Sequence, residues 1–394
     1  MAVNTMTFNQ LATVLTSIVG QATGKNNLTA TDTSSFVSVG KLGLETGYDP
    51  LCSAISQVLS RTIFAIRPYS SQFRGLEMDN MKYGNHVRKI SFGDTGLEED
   101  DRIKLVDGQS IDQQVVKKPA PVQQNFYGEN VYQKHITIFK DQMDVAFSGP
   151  DEFARFVGGV MQTVSDELEQ AREDTARMTI SNLIGGHYQL DASNITSGSV
   201  VHLITEYNAW SGQSITAATV FDPDVFPAFA KWMYGRIATA SRMLRERSNL
   251  FHLNLTGHDV KRHTPVERQR LYMLAQNMDQ VSSNVLSSVY NDEYLRMIPR
   301  NEVSFWQSIK SPASINITAG YEIANGTLTT ASTSLSGIVF GVLMDEEAAG
   351  YTMINQWSNP APFNARGGYT NMYWHETQRY YNDFTENCVV FLLD

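Results

Sequence analysis

Asn85-His86-Val87-Arg88-Lys89-Ile90-Ser91-Phe92, answered by Asn130-Val131-Tyr132-Gln133-Lys134-His135-Ile136-Thr137-Ile138-Phe139 and then by Gly149-Pro150-Asp151-Glu152-Phe153, decides the architecture of this chain. The first two runs alternate apolar and polar residues, the period of a strand. They predict an extended β arm that goes up through residues 85–92 and returns through 130–139. The polar stretch between them holds too little apolar material to bury a core. A strand pair with an exposed tip is marginal alone in water. The arm is therefore expected to lie on another copy of the same chain.

The third run opens a helix. Pro150 with Asp151 and Glu152 is the composition of a first helical turn. Apolar or small residues then recur at Phe153, Val157, Val160, Val164, Leu168, Ala171, Thr175 and Met178, gaps of three and four that keep one face inward. Asp166, Glu167, Glu169, Arg172, Glu173, Asp174 and Arg177 fall on the opposite face, and Gly185-Gly186 reads as the stop. About 36 residues at 1.5 Å each give roughly 54 Å. A coiled-coil segment or an ordinary bundle helix is the plainer alternative, but sustained heptads are missing. A single spar over 150–186 is expected.

Composition narrows the class. A chain of 394 residues exceeds one core, and 42% hydrophobic with 10% aromatic residues is the make-up of a folded protein. No apolar run approaches the ~18 residues of a membrane helix; Ile338 to Met344 is a buried strand by length. No basic region precedes an apolar run near Met1, so no secretory signal is expected. Cys52 and Cys388 are then reduced, buried thiols, and the sequons at Asn27, Asn194, Asn254, Asn316 and Asn325 carry no sugar. A formal charge of −10 argues against gripping nucleic acid through phosphates.

Along the chain, residues 1–24 contain an amphipathic helix with Phe8, Leu11, Leu15, Ile18 and Val19 at helical spacing. The Thr-, Ser- and Gly-rich stretch from Lys25 to Gly47 reads as extended and held by a partner subunit. Asp49 to Phe64 reads as a helix, Ser199 to Ile204 as a strand, Pro223 to Arg247 as a helix, Arg268 to Leu274 as a strand and Met278 to Met297 as a helix. Thr318 to Val342 reads as β structure turning at Asn325-Gly326 and Ser336-Gly337, and Cys388 to Leu393 as a closing strand.

A search for chemistry returns nothing catalytic. His258 and His263 lack the spacing of a helical zinc pair. His375-Glu376 has no second histidine four residues on. Nucleophile-elbow, phosphate-loop and dinucleotide patterns are absent. Arg242, Arg245 and Arg247 are an anion site or simply cations at a helix C-terminus, the simpler reading. Asp345-Glu346-Glu347 is a cation site or a solvated edge, the simpler reading. Glu98-Glu99-Asp100-Asp101, near the arm's tip, and Lys117-Lys118, on its return, are candidate inter-subunit contacts. Exposed pairs of this kind add only ~0.2–1 kcal/mol each, so they set register more than strength.

The order of parts resembles the major capsid proteins of tailed bacteriophages with the Hong Kong 97 fold. The resemblance is carried by Leu59-Ser60-Arg61-Thr62-Ile63-Phe64 with Arg67-Pro68-Tyr69, by Gly84 to Lys89, by Phe340 to Tyr351, by Asn355-Gln356-Trp357, by Pro362 to Tyr369 and by Asp383-Phe384-Thr385-Glu386-Asn387. It spans most of the chain, although no single motif is diagnostic.

The resemblance implies an α+β fold in parts: an N-arm with short helices over 1–70, an extended β loop over 71–148, and a peripheral domain over 149–254 around the spine helix. An axial domain over 255–345 and a C-terminal return over 346–394 complete it. It implies no enzyme and no cofactor, but a homo-oligomer of hexamers and pentamers forming an icosahedral head. That head encloses double-stranded DNA without sequence-specific binding, involves no membrane, and is assembled in the host cytoplasm with a portal protein. With so short an N-arm, no maturation cleavage is expected and scaffolding comes from a separate protein. The family's covalent crosslinking residues do not map here. Gly24, Gly47, Gly84, Gly93, Gly96 and Gly149 are expected hinges. An encapsulin-type compartment is the alternative within the same fold. A soluble enzyme and an extracellular adhesin are disfavoured by the missing titratable cluster and the missing signal.

Overall fold

The computed structural model describes residues 7–59, 72–78, 87–93, 96–116, 118, 121–255, 260–279, 300–324 and 327–394. Three helices open the chain. α1 (Phe8–Thr23) buries Leu11, Leu15, Ile18 and Val19, the expected stripe. α2 (Thr33–Glu45) corrects the expectation of an extended segment. Asp32 caps it by accepting a 2.7 Å hydrogen bond from the Ser35 N–H. Its Ser- and Thr-rich surface hides a short inward stripe of Phe36, Val39, Gly40 and Gly43. The glycines allow close approach, because a Cβ on Gly40 would sit 2.8 Å from the Phe147 carbonyl and one on Gly43 2.9 Å from Val19. This chain's own core, not a partner, holds the segment. α3 (Tyr48–Leu59) follows after Gly47 at φ 108°, and the remainder of the expected 49–64 helix lies outside the described residues.

The arm also differs from its expected pairing. β1 (Val87–Phe92) pairs antiparallel with β2 (Pro121–Phe126), from Val87 opposite Phe126 to Phe92 opposite Pro121. β3 (Gly128–Phe139), the expected return strand, lies instead in the body, against the much later strand of residues 369–382. A partner that distant in sequence leaves no local signal. After α4 (Lys140–Ala146) comes α5 (Pro150–Ala192), with Gly149 as N-cap and Pro150 at its first position.

At 43 residues α5 is about 65 Å long and does not stop at Gly185-Gly186. Neither glycine has the positive φ of a helix cap. Both mark contacts: a Cβ on Gly185 would lie 2.7 Å from Ile317, and one on Gly186 2.3 Å from Phe384. The helix threads two cores. Phe153, Val157, Val164 and Leu168 pack with α1–α3, while Ala176, Ile180, Leu183 and Ile184 pack with the strands that follow. In this second half, Glu173 and Arg177, expected on the solvent face, are buried and bond each other through Arg177 Nε at 3.0 Å, while Asp174 between them stays exposed as expected.

β4 (Val200–His202), α6 (Leu203–Ser211) and α7 (Phe226–Met243) come next, then β5 (Gln269–Leu274), β6 (Arg300–Val303), and the hairpin β7 (Ile315–Ala324) and β8 (Thr327–Leu335). β9 (Val339–Asp345), β10 (Ala349–Pro360), β11 (Tyr369–Asn382) and β12 (Cys388–Leu392) complete the chain. One sheet runs β4-β12-β9-β5-β6, so strands on either side of residue 254 share a layer, and α6 and α7 cover it. A second sheet runs β10-β11-β3, antiparallel throughout. α5 is pinned to β11 by Arg172, whose guanidinium donates to both carboxylate oxygens of fully buried Glu376 at 3.0 and 2.8 Å. The expected helix beyond Asp279 and the turn at Asn325-Gly326 lie outside the described residues. Among those described, no helix is long and apolar enough to cross a membrane.

Candidate subunit interface

The β1–β2 hairpin is two-faced. Val87, Lys89 and Ser91 face the body with Phe126, Gln124 and Val122, while Arg88, Ile90 and Phe92 face out. The Phe126 ring packs 5.3 Å from that of Tyr381. Beyond the hairpin every residue from 96 to 116 is exposed. Leu97 is 104% exposed, Ile103 76% and Val116 74%, the opposite of what apolar side chains do in a finished fold.

The predicted contact residues sit at this tip. Asp100 caps a single 3-10 turn, accepting from the Arg102 N–H at 2.9 Å and from Arg102 Nε at 2.8 Å, and these bonds hold its carboxyl below the usual range. Glu99 lies 3.3 Å from Lys104. Glu98 and Asp101 are exposed, as is Lys118, while Lys117 lies outside the described residues. The ion pairs of Glu99 with Lys104 and of Asp100 with Arg102 are thus local, within the tip.

The residue that sequence reading missed is Lys89. It projects from the inner face of β1 to the Asp383 carboxylate at 2.5 Å and also bonds Glu386. Burial works against its ammonium, yet the two carboxylates outweigh burial and raise its pKa above the ordinary lysine value. Burial likewise lifts the Glu386 carboxyl, with Lys89 and Arg262, 3.1 Å away, pulling back. Asp383 turns its other oxygen to the Thr385 N–H at 2.9 Å and hydroxyl at 2.6 Å. The arm's base is therefore clamped to its own chain while its tip is bare. The Asp383-to-Asn387 stretch was visible in the sequence, but nothing in the sequence tied it to Lys89.

The acidic run at the end of β9 is a solvated edge only in part, with Glu347 exposed and Asp345 turned inward. Asp345 is buried, accepts from the Thr264 hydroxyl at 2.9 Å and meets Arg268 at 3.3 Å. Glu346 pairs with Arg268 and Arg270 at 3.2 and 2.8 Å, and Glu347 with Arg268 at 2.6 Å. The strand end turns inward, so the arginines of β5 and the turn before it neutralise the run. His375 stacks on Trp357 at 3.9 Å, and His258 lies outside the described residues. Arg242 stands in the last turn of α7. Among the described residues no group of three or more His, Cys, Asp or Glu is placed to hold a metal. Cys52 and Cys388 are free and buried, and burial raises both thiol pKa values.

Comparison with solved structures finds phage particles. The capsid structure of Staphylococcus phage Andhra matches at 9% identity with a TM-score of 0.54, covering 84% of this chain and 87% of that one. The structure of head fiber and inner core protein gp22 of native bacteriophage P68 matches at 8% identity with the same TM-score and coverage. At such identities the likeness shows the fold alone, a mixed helix-and-sheet phage capsid architecture. No curated protein matches the sequence. The family model for the Phi29-like phage major capsid protein matches residues 13–392, nearly the whole chain. The chain belongs to that family and is a protein of the phage head shell, which sets the encapsulin alternative aside.

Proposed function

We propose that the chain assembles as hexamers and pentamers into an icosahedral head of the Hong Kong 97 type around the double-stranded DNA of a tailed phage. The observation that carries this reading is the contrast within the arm. Its base is fixed by Lys89, and its tip from 96 to 116 exposes apolar residues over its whole length. A chain that ends its fold this way lacks a partner, and in a shell the partner is a sister subunit. Glu98 to Asp101, with Lys117 and Lys118, then set the register of that contact. Many modest interfaces acting together give a stable shell from weak pairs.

The layout expected from the sequence becomes a proposal in the same terms: residues 71–148 as the loop that reaches a neighbour, α5 as the spine, and residues 255–345 toward the symmetry axes. The role is structural and not catalytic. A portal protein and a separate scaffolding protein are the expected partners during assembly in the host cytoplasm. The net charge of −10 suits a wall that DNA slides past. Negative-stain electron microscopy of the purified chain, alone and with its scaffolding partner, tests the reading. Closed, uniform particles are expected. A chain that stays monomeric at high concentration under both conditions overturns it.

A further inference from the structure

The sheet β10-β11-β3 buries one face and leaves the other bare. Ile138, Met372 and Trp374 are buried in the core that α1 to α5 share. The residues alternating with them face away from that core, and Val131, His135, Phe139 and Trp357 among them are exposed. An aromatic ladder crosses this outer face. Trp357 of β10 stacks on His375 of β11 at 3.9 Å and 13°. His375 lies 6.5 Å from Tyr373, and Tyr373 lies 5.9 Å from His135 of β3. Trp357 is 49% exposed, the value of a ring covered on one side only.

The polar groups between the rings are of one kind. Asn355 and Asn359 flank Trp357 two residues to either side, Gln133 lies across from His375, and Asn371 stands two residues before Tyr373. The Thr137 hydroxyl donates to Asn371 Oδ1 at 2.7 Å, which sets the orientation of that carboxamide. Over 131–139, 355–359 and 369–377 no outward position carries Asp, Glu, Lys or Arg, in a chain where 18% of residues do. A polyanion, a charged membrane surface or the acidic loop 96–116 finds no charge here to answer its own. Val131 is the one aliphatic side chain over the same positions, too little for the apolar centre of a protein interface.

Rings spaced by carboxamides suit an uncharged sugar chain. The C–H face of a pyranose lies flat on an aromatic ring, while its polar substituents meet a few placed amides. A carboxamide both donates and accepts, so it can pair at two points with an acetamido group. We propose that this face binds a neutral polysaccharide of N-acetylated amino sugars. Trp357 is the principal stacking ring, and Asn355 and Asn359 bond the sugar on either side of it. The inference goes beyond the shell reading and does not depend on it, since the unassembled chain already carries the face.

Retention on chitin beads, an uncharged polymer of N-acetylglucosamine, tests it with the unassembled chain and with intact heads. Both are expected to be retained. The soluble N-acetylglucosamine hexamer is expected to release them about tenfold more effectively than cellohexaose, which lacks the acetamido group. Trp357→Ala is expected to melt as the wild type does and to weaken retention about tenfold or more. Trp210→Ala, which removes another exposed tryptophan, is expected to change nothing. Should Trp357→Ala fail to fold, Asn359→Asp decides, since it keeps the size of the side chain but loses the amide donor; wild-type retention by this variant overturns the proposal. No retention of the wild-type chain, or an equal loss in Trp210→Ala, overturns the site. Equal release by cellohexaose overturns the sugar assigned to it. Retention of the chain but not of heads shows the face covered by a second copy, and overturns it as a property of the head. Failure of the chain to form particles brings down the shell reading alone, because retention of the free chain is measured apart from assembly.

Discussion

Gly186 and Phe384 touch without a side chain to spare between them: a Cβ on the glycine would lie 2.3 Å from the ring. The ring is held in place by His187 at 5.4 Å and Tyr321 at 6.1 Å, so it has little room to retreat. Gly186→Ala is predicted to lower the stability of the unassembled chain by about 1–3 kcal/mol, an overpacking cost that exceeds alanine's helix preference. Gly159→Ala, in the same helix but in open space, is predicted to raise it by about 0.5–1 kcal/mol. Thermal melting of both variants checks the opposite signs.

Lys89→Met is predicted to undock the arm's base. It leaves Asp383 and Glu386, whose side chains are 0% and 7% exposed, with Arg262 as their remaining nearby cation. The cost is about 3–5 kcal/mol, as for other broken buried pairs. Limited proteolysis should find earlier cleavage within 87–126. The folded lysine pKa is raised, so its contribution is complete below the ordinary value of about 10.4 and fades as pH rises through the folded one. The gap between wild type and variant should hold from pH 7 to 10 and narrow above.

His187 lies fully buried in α5, and among the described residues neither ring nitrogen has a hydrogen-bond partner. Burial, aided by the charge of His252, lowers its pKa to about 3. A depressed base binds its proton more readily when unfolded, so stability falls as pH drops below about 6.5, by about 1.4 kcal/mol per unit until the folded value is reached. His187→Leu removes this slope and is predicted to be neutral or stabilising at pH 8, since no bond is lost. Denaturant titrations at pH 4.5, 6 and 8 check it.

Arg172 and Glu376 should behave as one unit. Glu376→Ala leaves a half-buried guanidinium with Glu169, 3.2 Å away, in place of its bidentate acceptor and is predicted to cost about 2–3 kcal/mol, whereas Arg172→Met with Glu376→Met together should cost much less. A double-mutant cycle by chemical unfolding measures the coupling.

These positions also show what the sequence could reveal. α1, α3 and α7 were legible because their apolar residues recur at helical spacing, and β5 because it is a short, largely apolar run buried almost throughout. α2 was not, because small residues carry its inward face and hydroxyls dominate the rest. Gly185-Gly186 was misread because a glycine that ends a helix and one that admits a neighbour look alike in sequence. Only φ and the nearby Ile317 and Phe384 tell them apart. β3 was assigned the wrong partner because β1 and β3 both alternate, and pairing with β11 is set by the whole body. The loop tip was legible as exposed, since its scattered apolar residues are too few to bury a core of their own. Its clamp was not, because Lys89 and Asp383 meet only in three dimensions.

The central claim is that residues 96–116 finish folding only against another subunit. Peptide-resolved hydrogen exchange, on the unassembled chain and on intact heads, tests it most directly. The loop amides are predicted to exchange at near-random-coil rates in the free chain and at least tenfold more slowly in heads, while α5 is protected in both. Equal protection of the loop in the two states would contradict the account.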